Sequence, residues 1–109
     1  MSNWIGVCTL EKIIPGTGIC ALVENKQVAI FRPDLSEIVY AISNMDPFAH
    51  SNVLSRGIIC EHDGQYWVAS PLKKQRFNLV DGHCLEDKNV FVDVYKTRIV
   101  EENVEVCIS

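Results

Sequence analysis

The stretch "SPLKKQRFNLVDG", residues 70–82, opens on a Ser-Pro pair, runs through a basic trio and closes on a glycine. Such an opening favours a tight turn, and Gly82 suits a backbone position that requires positive φ. Just before it, "IICEH" (58–62) and "QYWVAS" (65–70) are β-rich runs joined by Asp63-Gly64, a strong hairpin signal. On the far side of that hairpin lies "NMDPFAHSNVLSRG" (44–57), which has no strand rhythm. Its Asp46-Pro47 pair predicts one short helical turn, with Asp at the N-cap and Pro at the first helical position. Two loops separated by a single strand–turn–strand unit are the feature on which the fold turns.

Working outward, short strands continue to both ends. "WIGV" (4–7) is a first strand, and "EKIIPGTGI" is a loop punctuated by Pro15, Gly16 and Gly18. "ICALVE" (19–24) and "QVAIFR" (27–32) predict a hairpin across Asn25-Lys26. After the turn "PDLSE" comes the strand "IVYAIS" (38–43), and "VFVDVYKTRIV" (90–100) with "VEVCI" (104–108) forms a closing hairpin. No segment sustains a 3.6-residue apolar period, so no long helix is expected. The pattern predicts an all-β antiparallel sandwich or barrel with little helix, as one domain over residues 1–109.

The chain has 109 residues, a size at which one modest core can be buried. Its net charge of −4 argues against a nucleic-acid partner, which selects for a basic face. No apolar run approaches the roughly 20 residues of a membrane helix, and the start "MSNWIGV" lacks the features of a signal peptide. A cytoplasmic protein with no membrane partner is the expectation. Five scattered cysteines (Cys8, Cys20, Cys60, Cys84 and Cys107) fit reduced thiols better than a disulfide framework.

Several constellations offer candidate sites. Cys60, His62, His83 and Cys84 supply the atoms for tetrahedral zinc. The spacing argues against that use: His62 abuts the Asp63-Gly64 turn, and the adjacent His83 and Cys84 point apart in an extended chain. With three histidines and five cysteines, accidental Cys/His combinations are expected, and none sits in an activating motif. No glycine-rich dinucleotide fingerprint or P-loop is present. Trp4 and Trp67 read as packing residues.

The two loops carry a resemblance. A Rieske-type [2Fe–2S] cluster is held by two thiolates on one iron and two imidazoles on the other. The Rieske-like family supplies them from a C-x-H loop and a C-P-x-H-G loop, the latter followed by an aromatic residue and a glycine. "SPLKKQRFNLVDG" resembles the second loop, keeping Pro71, Phe77, Leu79 and Gly82 but holding Ser70 and Lys73 at the ligand positions. In the first loop the ligand positions fall on Asp46 and Phe48. Taken together, "SNMDPFAHSNVLSRGI" and "VASPLKKQRFNLVDGHCLED" resemble, over essentially the whole chain, the family of small subunits of assimilatory NAD(P)H-dependent nitrite reductase.

That resemblance implies a Rieske-like β domain with no cluster or other cofactor of its own and no catalytic residue. Its partner would be a large subunit carrying FAD, an iron–sulfur cluster and sirohaem, which reduces nitrite to ammonium. The retained geometry implies a hydrogen bond between Asp46 and Ser70, with Phe48 filling the volume of the missing cluster. Lys73, Lys74 and Arg76, with His50 and Arg56 as secondary candidates, would face the partner, since complementary charge steers association and sets register. The alternative is a free-standing Rieske-like β interaction module with another partner.

Overall fold

A computed structural model describes residues 3–108. Among them run β1 (Trp4–Thr9), β2 (Thr17–Val23), β3 (Lys26–Arg32), β4 (Tyr40–Ser43), β5 (Met45–Asp46) and β6 (Ser51–Asn52). These are followed by β7 (Ile58–His62), β8 (Gln65–Ala69), β9 (Arg76–Asn78), β10 (Val94–Val100) and β11 (Asn103–Cys107). Helix is confined to single 3-10 turns at Leu10–Lys12 and Leu54–Arg56. Among the described residues no helix is long and apolar enough to cross a membrane.

One six-stranded sheet has the order β1-β11-β10-β4-β3-β2 and curls until its edge strands β1 and β2 touch. A three-stranded sheet, β7-β8-β9, packs beside it, and the pair β5-β6 closes a loop between the two. Every pairing is antiparallel, as the alternating sequence predicts.

The unbroken apolar run "VAIF" in β3 explains how the layers share a wall. Successive side chains of a strand point to opposite faces. Val28 and Ile30 therefore join one core, with Ala41, Val104 and Val106, while Ala29 and Phe31 join a second, with Ile42, Leu54, Val68, Phe77 and Leu79. The second core lies under the two loops and anchors them to the large sheet.

Three hairpins turn on pairs of residues with positive φ: Glu24-Asn25, Asp63-Gly64 and Glu101-Glu102. Such turns match the right-handed twist of the strands they join. The first lies one residue earlier than expected, because Lys26 pairs with Val23 and Asn25 takes the positive φ that asparagine tolerates well. The expected strand 90–100 begins only at Val94. Its predecessors serve the loop region instead: the amide of Val92 donates to Gly82 and the carbonyl of Asp93 accepts from Ser43.

Candidate functional site

Three turns flank the small sheet and are built on one plan: the first two meet where β8 passes to β9, and the third follows β9 toward the other end of β8. In the first, the amide of His50 donates to the carbonyl of Asp46 at 2.8 Å, while Asp46 Oδ1 accepts from the amides of Phe48 (2.8 Å) and Ala49 (3.2 Å). In the second, the amide of Lys74 donates to the carbonyl of Ser70 at 3.0 Å, and Ser70 Oγ accepts from the amide of Leu72 at 3.3 Å. In the third, Gly82 donates to the carbonyl of Asn78 at 2.9 Å, and Asn78 Oδ1 accepts from Val80 (2.8 Å) and Asp81 (3.1 Å).

Each turn thus opens on a short polar residue whose side chain satisfies amides that a single helical turn leaves unpaired. Each closes on a residue at positive φ: His50 (53°), Lys74 (65°) and Gly82 (82°). Pro47 and Pro71 sit second in the first two, where φ is already helical and no amide hydrogen is needed. The helical turn predicted at Asp46-Pro47 is realised as one closed turn that does not propagate.

The first two turns are joined at their opening residues. Ser70 Oγ donates to Asp46 Oδ2, and both side chains are withdrawn from solvent, at 2% and 0% exposure. Burying a carboxylate is costly unless its lone pairs are occupied. Here two amides take Oδ1 and the serine hydroxyl takes Oδ2. Asn44, itself buried, supports the base of the first loop: Nδ2 donates to the carbonyl of Asn52 at 3.0 Å and Oδ1 accepts from the amide of Ser55 at 2.7 Å.

Phe48 is half-buried against the second core, its ring 6.2 Å from that of Phe77 and tilted by 43°. Lys73, Lys74, His50 and Arg56 are exposed around the turns. Arg76, by contrast, is held in an ion pair. Its guanidinium holds Glu86 at 2.6 Å while its amide holds the other carboxylate oxygen at 2.7 Å, and this raises the Arg76 pKa.

Burial pushes the Glu86 pKa up, but the Arg76 amide and guanidinium outweigh it and leave that carboxyl lowered. Glu86, Asn44 and Asn78 were not singled out from sequence. Only Asn78 had a readable signal, an asparagine four residues before the glycine that closes its turn.

The candidate zinc residues lie otherwise than a site requires. Trp67 is buried between the imidazoles of His62 and His83, with ring centroids 6.1 Å and 5.0 Å away, both edge-on. His83 is turned to Asp81 at 2.5 Å, and Cys84 is buried in the second core. Burial pushes the Cys84 thiol up, away from the thiolate that nucleophile chemistry needs. Among the described residues no group of three or more His, Cys, Asp or Glu comes together to hold a metal ion. Trp4 packs beneath Arg98, whose guanidinium carbon is 4.2 Å from the ring centroid.

The family described as Rieske-like [2Fe-2S] domain matches residues 3–107. The nitrite reductase (NADH) small subunit of Escherichia coli is 55% identical over 106 residues, which span 97% of this chain and 98% of that one. This chain belongs to the nitrite reductase small-subunit family. Its fold superposes on the NMR structure of the Escherichia coli protein NirD with a TM-score of 0.93 and 53% identity, covering 100% of this chain and 99% of the other. A nitrite reductase [NAD(P)H] large subunit from Klebsiella oxytoca also matches, 42% identical over 79 residues. That match covers 72% of this chain but 8% of the large subunit.

The family name raises the question of a [2Fe–2S] cluster, and the donor set of this small subunit does not fit one. A phenyl ring offers no lone pair, and the Lys73 ammonium would place positive charge beside positive irons. The Asp46 and Ser70 oxygens are already engaged with each other and with backbone amides. Binding soft iron–sulfide would forfeit those bonds without supplying a thiolate or an imidazole.

Proposed function

We propose that this chain is the non-redox small subunit of a cytoplasmic NAD(P)H-dependent nitrite reductase, acting as one Rieske-like domain over residues 1–109. It supports a large subunit that holds FAD, an iron–sulfur cluster and sirohaem and that reduces nitrite to ammonium. The observation that carries the reading is the end-to-end likeness to a nitrite reductase (NADH) small subunit, 55% identical over 97% of this chain. A domain-sized stretch of the Klebsiella oxytoca large subunit is similar as well, 42% identical over 79 residues. The same kind of domain thus occurs both as a separate chain and within a large subunit, which supports a stable association of the two.

The role proposed for the turns is positional. Asp46 and Ser70, with Phe48 against Phe77, make a rigid tip out of the positions that would otherwise hold metal. That tip presents Lys73, Lys74, His50 and Arg56 to the large subunit, while Arg76 stiffens the base through Glu86.

The test is co-expression with the nitrite reductase large subunit of the same source. The pair should co-purify, and the complex should reduce nitrite with NADH or NADPH faster than the large subunit alone. The isolated chain should contain no iron. Iron bound stoichiometrically to the isolated chain, with visible absorbance, would overturn the non-redox role. A large subunit that neither binds the chain nor changes its rate would overturn the partnership.

A further inference from the structure

The apolar groove beside the second turn is not accounted for by the Asp46–Ser70 bridge. Arg56, Ile58, Ala69, Ser70, Pro71 and Lys74 line a volume of about 290 Å³. Ile58 is 75% exposed, and Leu72, in the adjoining turn, is 56% exposed. A single exposed apolar residue is ordinary, but Ile58 in the wall, with Ala69 and Pro71 beside it and Leu72 next in the chain, leaves an apolar surface that burial would favour.

The rim has one sign of charge. Arg56 ends the 3-10 turn that leads into β7, and Lys74 ends the second turn, next to Lys73. No ion pair among the described residues involves any of the three, whereas Arg76 and Arg98 are each held by a glutamate at 2.6 Å. This basic rim stands in a chain of net charge −4, so it is a local feature and not a reflection of composition.

The backbone beneath it is fixed. Lys74 is locked at φ 65° by its bond to the Ser70 carbonyl, and Ser70 is locked in turn by Asp46. A preorganised surface forfeits less entropy on binding than a mobile one.

Resting on the reading above that the large subunit is the partner, we infer that this groove anchors an acidic segment of that subunit. The segment seats one large apolar side chain between Arg56 and Lys74 and sets its carboxylates against Arg56, Lys73 and Lys74. The buried apolar anchor supplies most of the affinity, and the charged rim supplies approach rate and register.

The experiment titrates the purified large subunit with the wild-type chain and with surface variants, at low and high salt. Ile58→Ser should weaken binding about tenfold at every salt concentration. The double variant R56E/K74E should weaken it by a similar factor at low salt and flatten the salt dependence. R56K/K74R, which keeps the charge, should bind within about threefold of wild type. Unchanged circular dichroism and melting temperature show that each variant is folded.

If wild type binds but Ile58→Ser and R56E/K74E bind as tightly, the groove is not the anchor, although the partnership stands. If wild type does not bind at all, the partnership fails and the groove assignment with it. If Ile58→Ser instead converts an oligomer of this chain to monomer, the groove belongs to a second copy and the inference is overturned.

Discussion

Ser70 donates its hydroxyl hydrogen to the carboxylate of Asp46 across 24 residues of sequence, tying together the opening residues of two matching turns. Each partner also caps its own turn, Asp46 through the amides of Phe48 and Ala49 and Ser70 through the amide of Leu72. One buried contact therefore sets the separation of the loops and the internal shape of both. No bound group is needed to hold the tip closed.

This arrangement makes the two residues strongly coupled. Ser70→Ala should lower stability by about 1.5–3 kcal/mol, the range for a hydrogen bond to a charged group. Asp46→Ala should lower it by about 3–5 kcal/mol, because two amides and a hydroxyl lose their acceptor. The double variant should cost less than the sum by about 1 kcal/mol or more. Urea unfolding of the four proteins closes the cycle, and additive costs would show that the contact contributes nothing of its own.

Phe48 and Phe77 form the apolar part of the same tip but differ in depth. Phe77 is fully buried in the second core, so Phe77→Ala should cost about 3–5 kcal/mol. Phe48 is half-buried and meets one face of that core, so Phe48→Ala should cost about 1–2 kcal/mol. The smaller loss should be local. Amide exchange at Ala49 and His50 should accelerate in Phe48→Ala while exchange in β3 is unchanged, and equal acceleration everywhere would assign Phe48 to the global core.

Much of this tip was legible in the sequence because its parts are local. Asp46-Pro47 announces a capped turn (though nothing local showed that Ser70 caps its own), and in the third turn Gly82 announces positive φ, since these preferences act within five residues. The Asp63-Gly64 hairpin was legible for the same reason. The groove was not: it joins Arg56 to Lys74 across β7 and β8, and nothing local marks which side of a turn a lysine will line. Arg76 was misleading for a similar reason. It stands in a run of basic residues, yet β9 carries it toward Glu86, ten residues on, where a carboxylate claims it. The late start of β10 also reflects tertiary override, since Val90 and Val92 are used to pack the second core.

Gly82 and Gly16 separate two costs of a side chain. Both have positive φ, 82° and 86°, but a Cβ at Gly16 meets nothing within 4 Å while one at Gly82 would lie 2.1 Å from the Val92 carbonyl oxygen. Gly16→Ala should therefore cost only the backbone conformational penalty, about 1–2 kcal/mol. Gly82→Ala must also push apart the third turn and the segment before β10, and should cost about 3 kcal/mol or more. Thermal unfolding of the two variants measures the difference, and equal losses would mean that the close approach to Val92 is easily relieved.

The Arg76–Glu86 pair sets an acid-side dependence whose sign follows from the lowered Glu86 pKa. A carboxyl with a lowered folded pKa contributes stability above its unfolded value, about 4.3, and loses it as pH falls through the folded value. Glu86→Gln keeps an oxygen for the Arg76 amide but removes the charge, so it isolates the ionic part. Solvent reaches both side chains, at 36% and 38% exposure, so the expected loss at pH 7 is only about 0.5 kcal/mol. The gap between wild type and variant should shrink as acid protonates Glu86 through its lowered folded value, and high salt at pH 7 should narrow it. Urea midpoints measured from pH 7 into the acid range test this, and a gap that widens toward acid would reverse the assigned sign.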